Sequence, residues 1–144
     1  MDLLNLARVP AIEVAPTSTV FEAVAASLPT KSGAVVVMEK GAMIGIFTER
    51  DVMVKVVHEK LDPEKTLVRD VMTPQPTTIQ PDAAIEDVMK MMLEMHIRHL
   101  PISEDGKTVL GMLSIRNVLQ FVVQDLEENL RHLEAHLGAD GPGG

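Results

Sequence analysis

Gly45-Ile46-Phe47-Thr48-Glu49-Arg50-Asp51-Val52 is answered, 66 positions later, by Gly111-Met112-Leu113-Ser114-Ile115-Arg116-Asn117-Val118. Both stretches pass from an apolar segment to a hydroxyl residue, then to an arginine, then to Asp or Asn. The apolar segment reads as a strand, and the residues after the hydroxyl read as the first turn of a helix. A strand-to-helix corner that occurs twice points to an internal repeat. The rest of the chain carries it. Upstream the shift is 65: Pro16 falls on Pro81, Leu28 on Leu93, Glu39 on Glu104 and Gly41 on Gly106. One extra residue in the second copy's turn makes the shift 66, and Gly45 then meets Gly111, Arg50 meets Arg116 and Val52 meets Val118.

Working outward, each copy spells the same elements. A short β-branched stretch, 12–14 or 77–79, runs into proline. A helix comes next at 19–28 or 82–95, with Thr19 and Asp82 as N-caps and Thr19 with Glu22 as a capping box. Strands at 34–38 and 43–47, or 100–103 and 109–113, flank a tight turn on Gly41 or Asp105-Gly106. A second helix closes each copy at 49–58 or 115–137. The expected class is α+β: two β-α-β-β-α repeats packed with pseudo-two-fold symmetry, plus an extended C-terminal helix. The expected division is repeat 8–59, linker 60–70, repeat 71–125, helical extension 126–137 and a disordered tail 138–144. One copy of about 60 residues buries too little surface to stand comfortably alone. Two packed face to face leave an equivalent cleft for each copy.

Composition narrows the function. The 144 residues carry 13 Lys plus Arg against 21 Asp plus Glu, a net charge of −8. An acidic chain is a poor ligand for nucleic acid or anionic membrane, where phosphate neutralisation supplies the affinity. There is no cysteine, which removes disulfides, thiol nucleophiles and Cys-ligated zinc, and fits a cytoplasmic protein. No apolar run reaches the ~18–20 residues of a membrane span. The start, Met1-Asp2-Leu3-Leu4-Asn5, is unlike a signal peptide. Three Phe, with no Trp or Tyr, offer little for base or sugar stacking.

The corner itself has chemistry. A helix N-terminus presents free N–H groups and a dipole that attract anions. The Thr48 hydroxyl is placed to bond a phosphate, the Arg50 guanidinium to pair with its oxygens, and the Asp51 carboxylate to accept from a vicinal diol such as a ribose. Thr48-x-x-Asp51 and Ser114-x-x-Asn117 also read as caps serving only their own helices. A basic cluster at Met95-His96-Ile97-Arg98-His99 has a nearly neutral counterpart in Thr30-Lys31-Ser32-Gly33-Ala34. This favours one dominant anionic-ligand site and one weaker one.

At these residues the chain resembles a tandem pair of cystathionine-beta-synthase (CBS) domains, also called a Bateman module. The stretch 45–52 is similar to that family's glycine–hydrophobic–Thr/Ser–x–x–Asp signature. Ile97-Arg98-His99-Leu100-Pro101-Ile102 is similar to the lead into its central strand, and Asp70-Val71-Met72-Thr73-Pro74 to the lead into a second repeat. The resemblance spans about residues 8–125. It implies a regulatory site for an adenosyl ligand: AMP, ADP, ATP, NAD or S-adenosylmethionine. It assigns ribose to Asp51 and phosphate to Thr48, with Arg50 beside them and Thr73, Thr77, Arg98 and His99 around the base. A second cleft takes Ser114, Arg116 and Asn117, with Ala11, Gly33 and Ala34 opposite. Asn117 departs from the pattern, being uncharged, and the first copy lacks a Met-Thr-Pro lead-in.

Other patterns are weaker. His132 and His136 lie one turn apart without a third ligand, and read as a solvated face rather than a metal pair. Met89, Met91, Met92 and Met95 read as core packing, or as an adaptable surface for a partner. Leu119, Leu126 and Leu133 recur every seven residues, as do Val123, Leu130 and Leu137, a two-row stripe that asks for a partner helix and most simply a homodimer, or that folds back on its own domain. No catalytic motif is present. The expectation is a non-enzymatic sensor in signal transduction, with no required cofactor, that hands its state to a separate effector protein. The rival readings are a ligand-free interaction module and a small nucleotide-acting enzyme.

Overall fold

The computed structural model describes residues 2–139. The expected tail therefore falls partly on Gly138 and Ala139, which are helical, while 140–144 lie outside the described residues.

The first repeat opens with β1 (Glu13–Val14) and α1 (Val20–Ser27). Thr19 caps α1, accepting from the Glu22 N–H at 3.1 Å while the Glu22 carboxylate accepts back from Thr19. β2 (Ala34–Glu39) and β3 (Ala42–Thr48) form a hairpin over Lys40-Gly41. Both turn residues have positive φ, 52° and 78°, the type I′ geometry that matches strand twist and needs glycine at the second position. β1 runs parallel to β2, with Val14 beside Val37, and β2 antiparallel to β3. α2 (Glu49–Asp51) then widens into a π-helical turn, Val52–Val57. An α-helix was expected at 49–58. Four of the six residues in the turn are β-branched valines, which crowd a regular α-helix.

The second repeat has the same plan in shorter strokes. A four-residue α3 (Val68–Val71) and β4 (Thr73–Pro74) lead into it. Its first strand shrinks from the expected 77–79 to a single parallel bridge, Ile79 to Ile102. That bridge is the counterpart of Val14 beside Val37. α4 (Ile85–Met95) begins three residues after the expected cap: the residue at the cap position is Ala84, and Asp82 is exposed and does not cap it. Pro81 is held elsewhere, its carbonyl accepting from the Leu3 N–H at 2.8 Å, and the first helical bond runs from Val88 N–H to Ala84. β5 (His99–Ile102) pairs antiparallel with β6 (Gly111–Ser114), and α5 (Ile115–Ala139) continues from it in one piece. In the turn between them the Asp105 carboxylate accepts from the Thr108 and Lys107 N–H groups at 2.7 and 2.8 Å. Those bonds lower the pKa of its carboxyl to about 2.

The two lead-ins cross over. β4, which opens the second repeat, pairs with β3 of the first: Thr73 lies beside Ile46 and Pro74 beside Gly45. Arg8, which opens the first repeat, pairs with Met112 of the second. The cores show the same exchange. Val68 and Val71 are buried with Val20, Val35, Phe47 and Val56 of the first repeat. Leu3 is buried with Val88, Met92, Leu100 and Leu113 of the second. Between the sheets, Ala11, Ala34, Val36, Met43, Ile46 and Met112 form a third buried cluster, the seam.

Candidate functional site

The corner at the end of β3 is built around one buried carboxylate. The Asp51 side chain is 8% exposed. One of its oxygens, Oδ2, accepts from the Thr48 N–H at 3.0 Å and the Thr48 hydroxyl at 3.2 Å, while the Asp51 N–H donates to the Thr48 hydroxyl oxygen at 3.3 Å. This is a complete capping box, so the capping reading is correct for Thr48. It accounts for only half of the carboxylate. The other oxygen, Oδ1, accepts from the Thr73 hydroxyl at 3.0 Å and lies 3.1 Å from the Lys55 ammonium. Lys55 also donates to the Met72 carbonyl and the Thr73 hydroxyl, both at 3.3 Å. Asp51 therefore ties the first repeat's helix to the lead-in of the second.

Thr48, Asp51 and Thr73 are thus brought together. Arg50 and Arg98 are exposed and make no side-chain hydrogen bond or ion pair among the described residues, so both guanidinium groups are available to an anion. Thr77 is exposed on the segment after β4. His99 is half-buried at the seam. A Cβ placed on Gly33 would stand 2.7 Å from Glu49 Oε1 and 3.0 Å from His99 Cε1, so the second repeat's imidazole and the first repeat's corner meet over Gly33. Burial lowers the His99 pKa below its usual 6.5, Glu49 opposes that shift and Arg98 adds to it.

The second corner has the same frame and different chemistry. The Ser114 hydroxyl donates to Asn117 Oδ1 at 2.6 Å, and the Asn117 N–H donates to Ser114 Oγ at 3.2 Å. The residue equivalent to Lys55 is Phe121, and the residue equivalent to Thr73 is Arg8. The buried acid, its lysine and its bridging hydroxyl are all replaced. Arg116 is exposed. Ala11 and Ala34 are 8% and 3% exposed within the seam, which leaves their side chains little surface for a ligand. Gly33 and Ala34 were expected opposite Ser114, and His99 opposite Thr48. The strand register sets Ala34 beside Thr48 and His99 beside Ser114, each in its own hairpin, and the His99 ring still reaches across to Glu49.

Three participants escaped the sequence reading. Lys55 could have been found from the Asp-to-Lys spacing of four on one helix face. Arg8 could have been found by carrying the 65-residue shift to the N-terminus. Glu49 had no sequence signal. An apolar cleft of about 420 Å3 also lies on the helical face of the first repeat, between Val24, Leu28, Phe47 and Val52, and reaches Thr48 and Glu49. It does not include Asp51 or Thr73. Its polar lining is Ser27, Lys31, Ser32, Thr48 and Glu49. No group of three metal-ligating side chains occurs among the described residues. None of the described helices is long and apolar enough to cross a membrane.

Residues 5–58 and 68–124 each match the family model described as the CBS domain. A mitochondrial CBS domain-containing protein of Arabidopsis thaliana, CBSX3, is 35% identical over 124 residues, which cover 83% of this chain and 60% of that protein; this chain spans less than two-thirds of that relative. The crystal structure of a CBS domain, NE2398, superposes with a TM-score of 0.77 at 30% identity, covering 85% of this chain and 98% of the other. A Pyrobaculum aerophilum CBS domain protein, PAE2072, solved in complex with AMP, shares the fold with a TM-score of 0.71 at 20% identity, covering 81% of this chain and 89% of that one.

Proposed function

The chain belongs to the CBS domain family, with two copies of the unit, and from that premise we propose that it is a regulatory module binding an adenine nucleotide at the seam between them. The observation that carries this reading is the Asp51 corner: a buried carboxylate and two hydroxyls assembled from both repeats, with the exposed Arg50 next to the acid in the chain. A ribose takes Asp51, phosphates take Thr48 and Arg50 at the helix N-terminus, and Thr73, Thr77, Arg98 and His99 border the rest. The AMP bound by the Pyrobaculum aerophilum relative supports this ligand class. The candidates are AMP, ADP, ATP and NAD. The neutral Ser114–Asn117 corner, with Arg116, Ala11, Gly33 and Ala34, is the weaker site.

The same geometry suggests a mechanism. A ribose that takes Asp51 competes with Thr73 and Lys55, the contacts that join the repeats. Binding therefore favours a different relation between them, which is the condition for a ligand to shift a conformational equilibrium. In this reading the protein is a cytoplasmic homodimer that passes the change to a separate effector and catalyses no reaction.

The test is thermal unfolding of the wild type and Asp51→Asn with AMP, ADP, ATP, NAD, NADH and S-adenosylmethionine. Asparagine is chosen because Asn117 occupies the equivalent corner in the same fold. A ligand at 100 times its Kd adds about 2.7 kcal/mol, several degrees of Tm for a domain of this size. The expected result is such a shift with one ligand, lost in Asp51→Asn. No shift with any of them at millimolar concentration overturns the reading in favour of an interaction module.

A further inference from the structure

α5 packs on the second repeat only through its first two turns. Ile115, Val118 and Val122 touch that core, and every residue from Val123 to Gly138 is exposed. Along this free stretch Val123, Leu126, Leu130, Leu133 and Leu137 are each 50–62% exposed and alternate at spacings of three and four. With Leu119 they make a heptad pattern, Val123, Leu130 and Leu137 at a and Leu119, Leu126 and Leu133 at d. Of the positions pointing away from that stripe, Gln124, Asp125, Glu128, Arg131 and His132 are polar and Ala135 is not.

The residues flanking the stripe select both the occupant and its direction. The e positions are Gln120, Glu127 and Glu134, and the g positions include Val122 and Asn129. In an antiparallel pair that matches all six stripe residues, e positions face e positions, so Glu127 of each chain would stand against Glu127 of the other and repel. In a parallel pair, e faces g: Glu127 falls opposite Val122 of the second copy and Glu134 opposite Asn129, with no like charges opposed. The helix is therefore self-complementary in one direction only. We propose that α5 pairs with α5 of a second copy as a parallel, in-register, two-stranded coiled coil. This rests on the dimer reading and adds to it the surface and the orientation, which sets both modules at the same end of the pair.

The chain's lack of cysteine makes the test clean. Light scattering on the full chain reports its mass. Leu133→Cys and Val123→Cys are prepared separately, and also mixed and re-equilibrated before mild oxidation. The two positions are about 15 Å apart along the helix at 1.5 Å per residue, so each pairing is diagnostic. The expected result is a dimer in which Leu133→Cys cross-links to itself, and whose cross-link is abolished by Leu126→Asp with Leu130→Asp. Those two side chains are exposed and outside the cores of the repeats, so the double variant keeps the cooperative urea transition of the two repeats. A disulfide found only between Val123→Cys and Leu133→Cys chains overturns the parallel arrangement, because an antiparallel pair sets a positions against d positions. A dimer that shows neither cross-link and is unmoved by the aspartates overturns α5 as the surface and leaves the dimer reading standing. A monomer at micromolar concentration overturns both.

Discussion

Asp51 and Asn117 stand at equivalent corners, and the exchange of a carboxylate oxygen for an amide nitrogen goes with the replacement of the neighbours Lys55 and Thr73 by Phe121 and Arg8. The carboxylate collects Thr48, Thr73 and Lys55, while the amide keeps only its own serine. His99 is a residue whose ionisation reports on the seam. It faces Glu49 from the first repeat and Arg98 from its own chain neighbourhood, and burial lowers its folded pKa below 6.5. Between those two values the unfolded chain binds a proton that the folded chain refuses. The stability His99 contributes is thus complete above its unfolded pKa. It is lost as pH falls from there through the folded value. Urea unfolding at pH 8 and pH 5.5 is expected to show this loss, and His99→Gln, which does not titrate, is expected to reduce it. Equal losses in the two proteins would count against the assignment.

Two glycines recognised as equivalent in the repeat, Gly45 and Gly111, turn out to serve the crossed lead-ins. A Cβ on Gly45 would collide with the Met72 sulfur and stand 2.9 Å from the Thr73 carbonyl oxygen. On Gly111 it would stand 3.0 Å from the Arg8 carbonyl oxygen and from Val9. Each glycine lets the opposite repeat's strand lie close. Backbone cannot yield as a side chain can, so Gly45→Ala is expected to cost about 1–3 kcal/mol, the usual penalty for overpacking. It should also loosen β4, measurable as a lower urea midpoint with faster amide exchange at Thr73. A midpoint unchanged from wild type would sink this account. The elements themselves were legible where local rules act, as in the Thr19–Glu22 box and the Lys40-Gly41 turn. They were misread where a distant contact intervened: Pro81 is engaged by Leu3, and α4 starts late.

At the scale of the molecule, neither repeat owns a complete core. The first needs Val68 and Val71 from beyond the linker, and the second needs Leu3 from the N-terminus. Chains 1–66 and 67–144 made separately are each expected to lack a cooperative urea transition, because each would expose a core with one wall missing. Mixed, they should recover native circular dichroism. A cooperative transition in either half alone would show that the exchange of lead-ins is dispensable. The crossing also explains how a ligand at one corner would be felt by both repeats, since the Asp51 contacts include Thr73 on the strand that joins them.

The order of elements, the two-fold repeat and the candidate corners were determined by the sequence alone. They depend on spacings of two, three or four residues and on a shift of 65 or 66 that needs no folding to be seen. Asp51 was visible for the same reason: it closes a cap three residues from Thr48. Only the tertiary structure decided which sheet receives each lead-in. It also brought Lys55 to the Met72 carbonyl and the Thr73 hydroxyl, 17 and 18 residues away, and set His99 over Gly33 against Glu49. The Lys55 contacts follow from β4 pairing with β3 and the His99 contact from packing between the two sheets, and contact between distant segments leaves no local pattern in the chain.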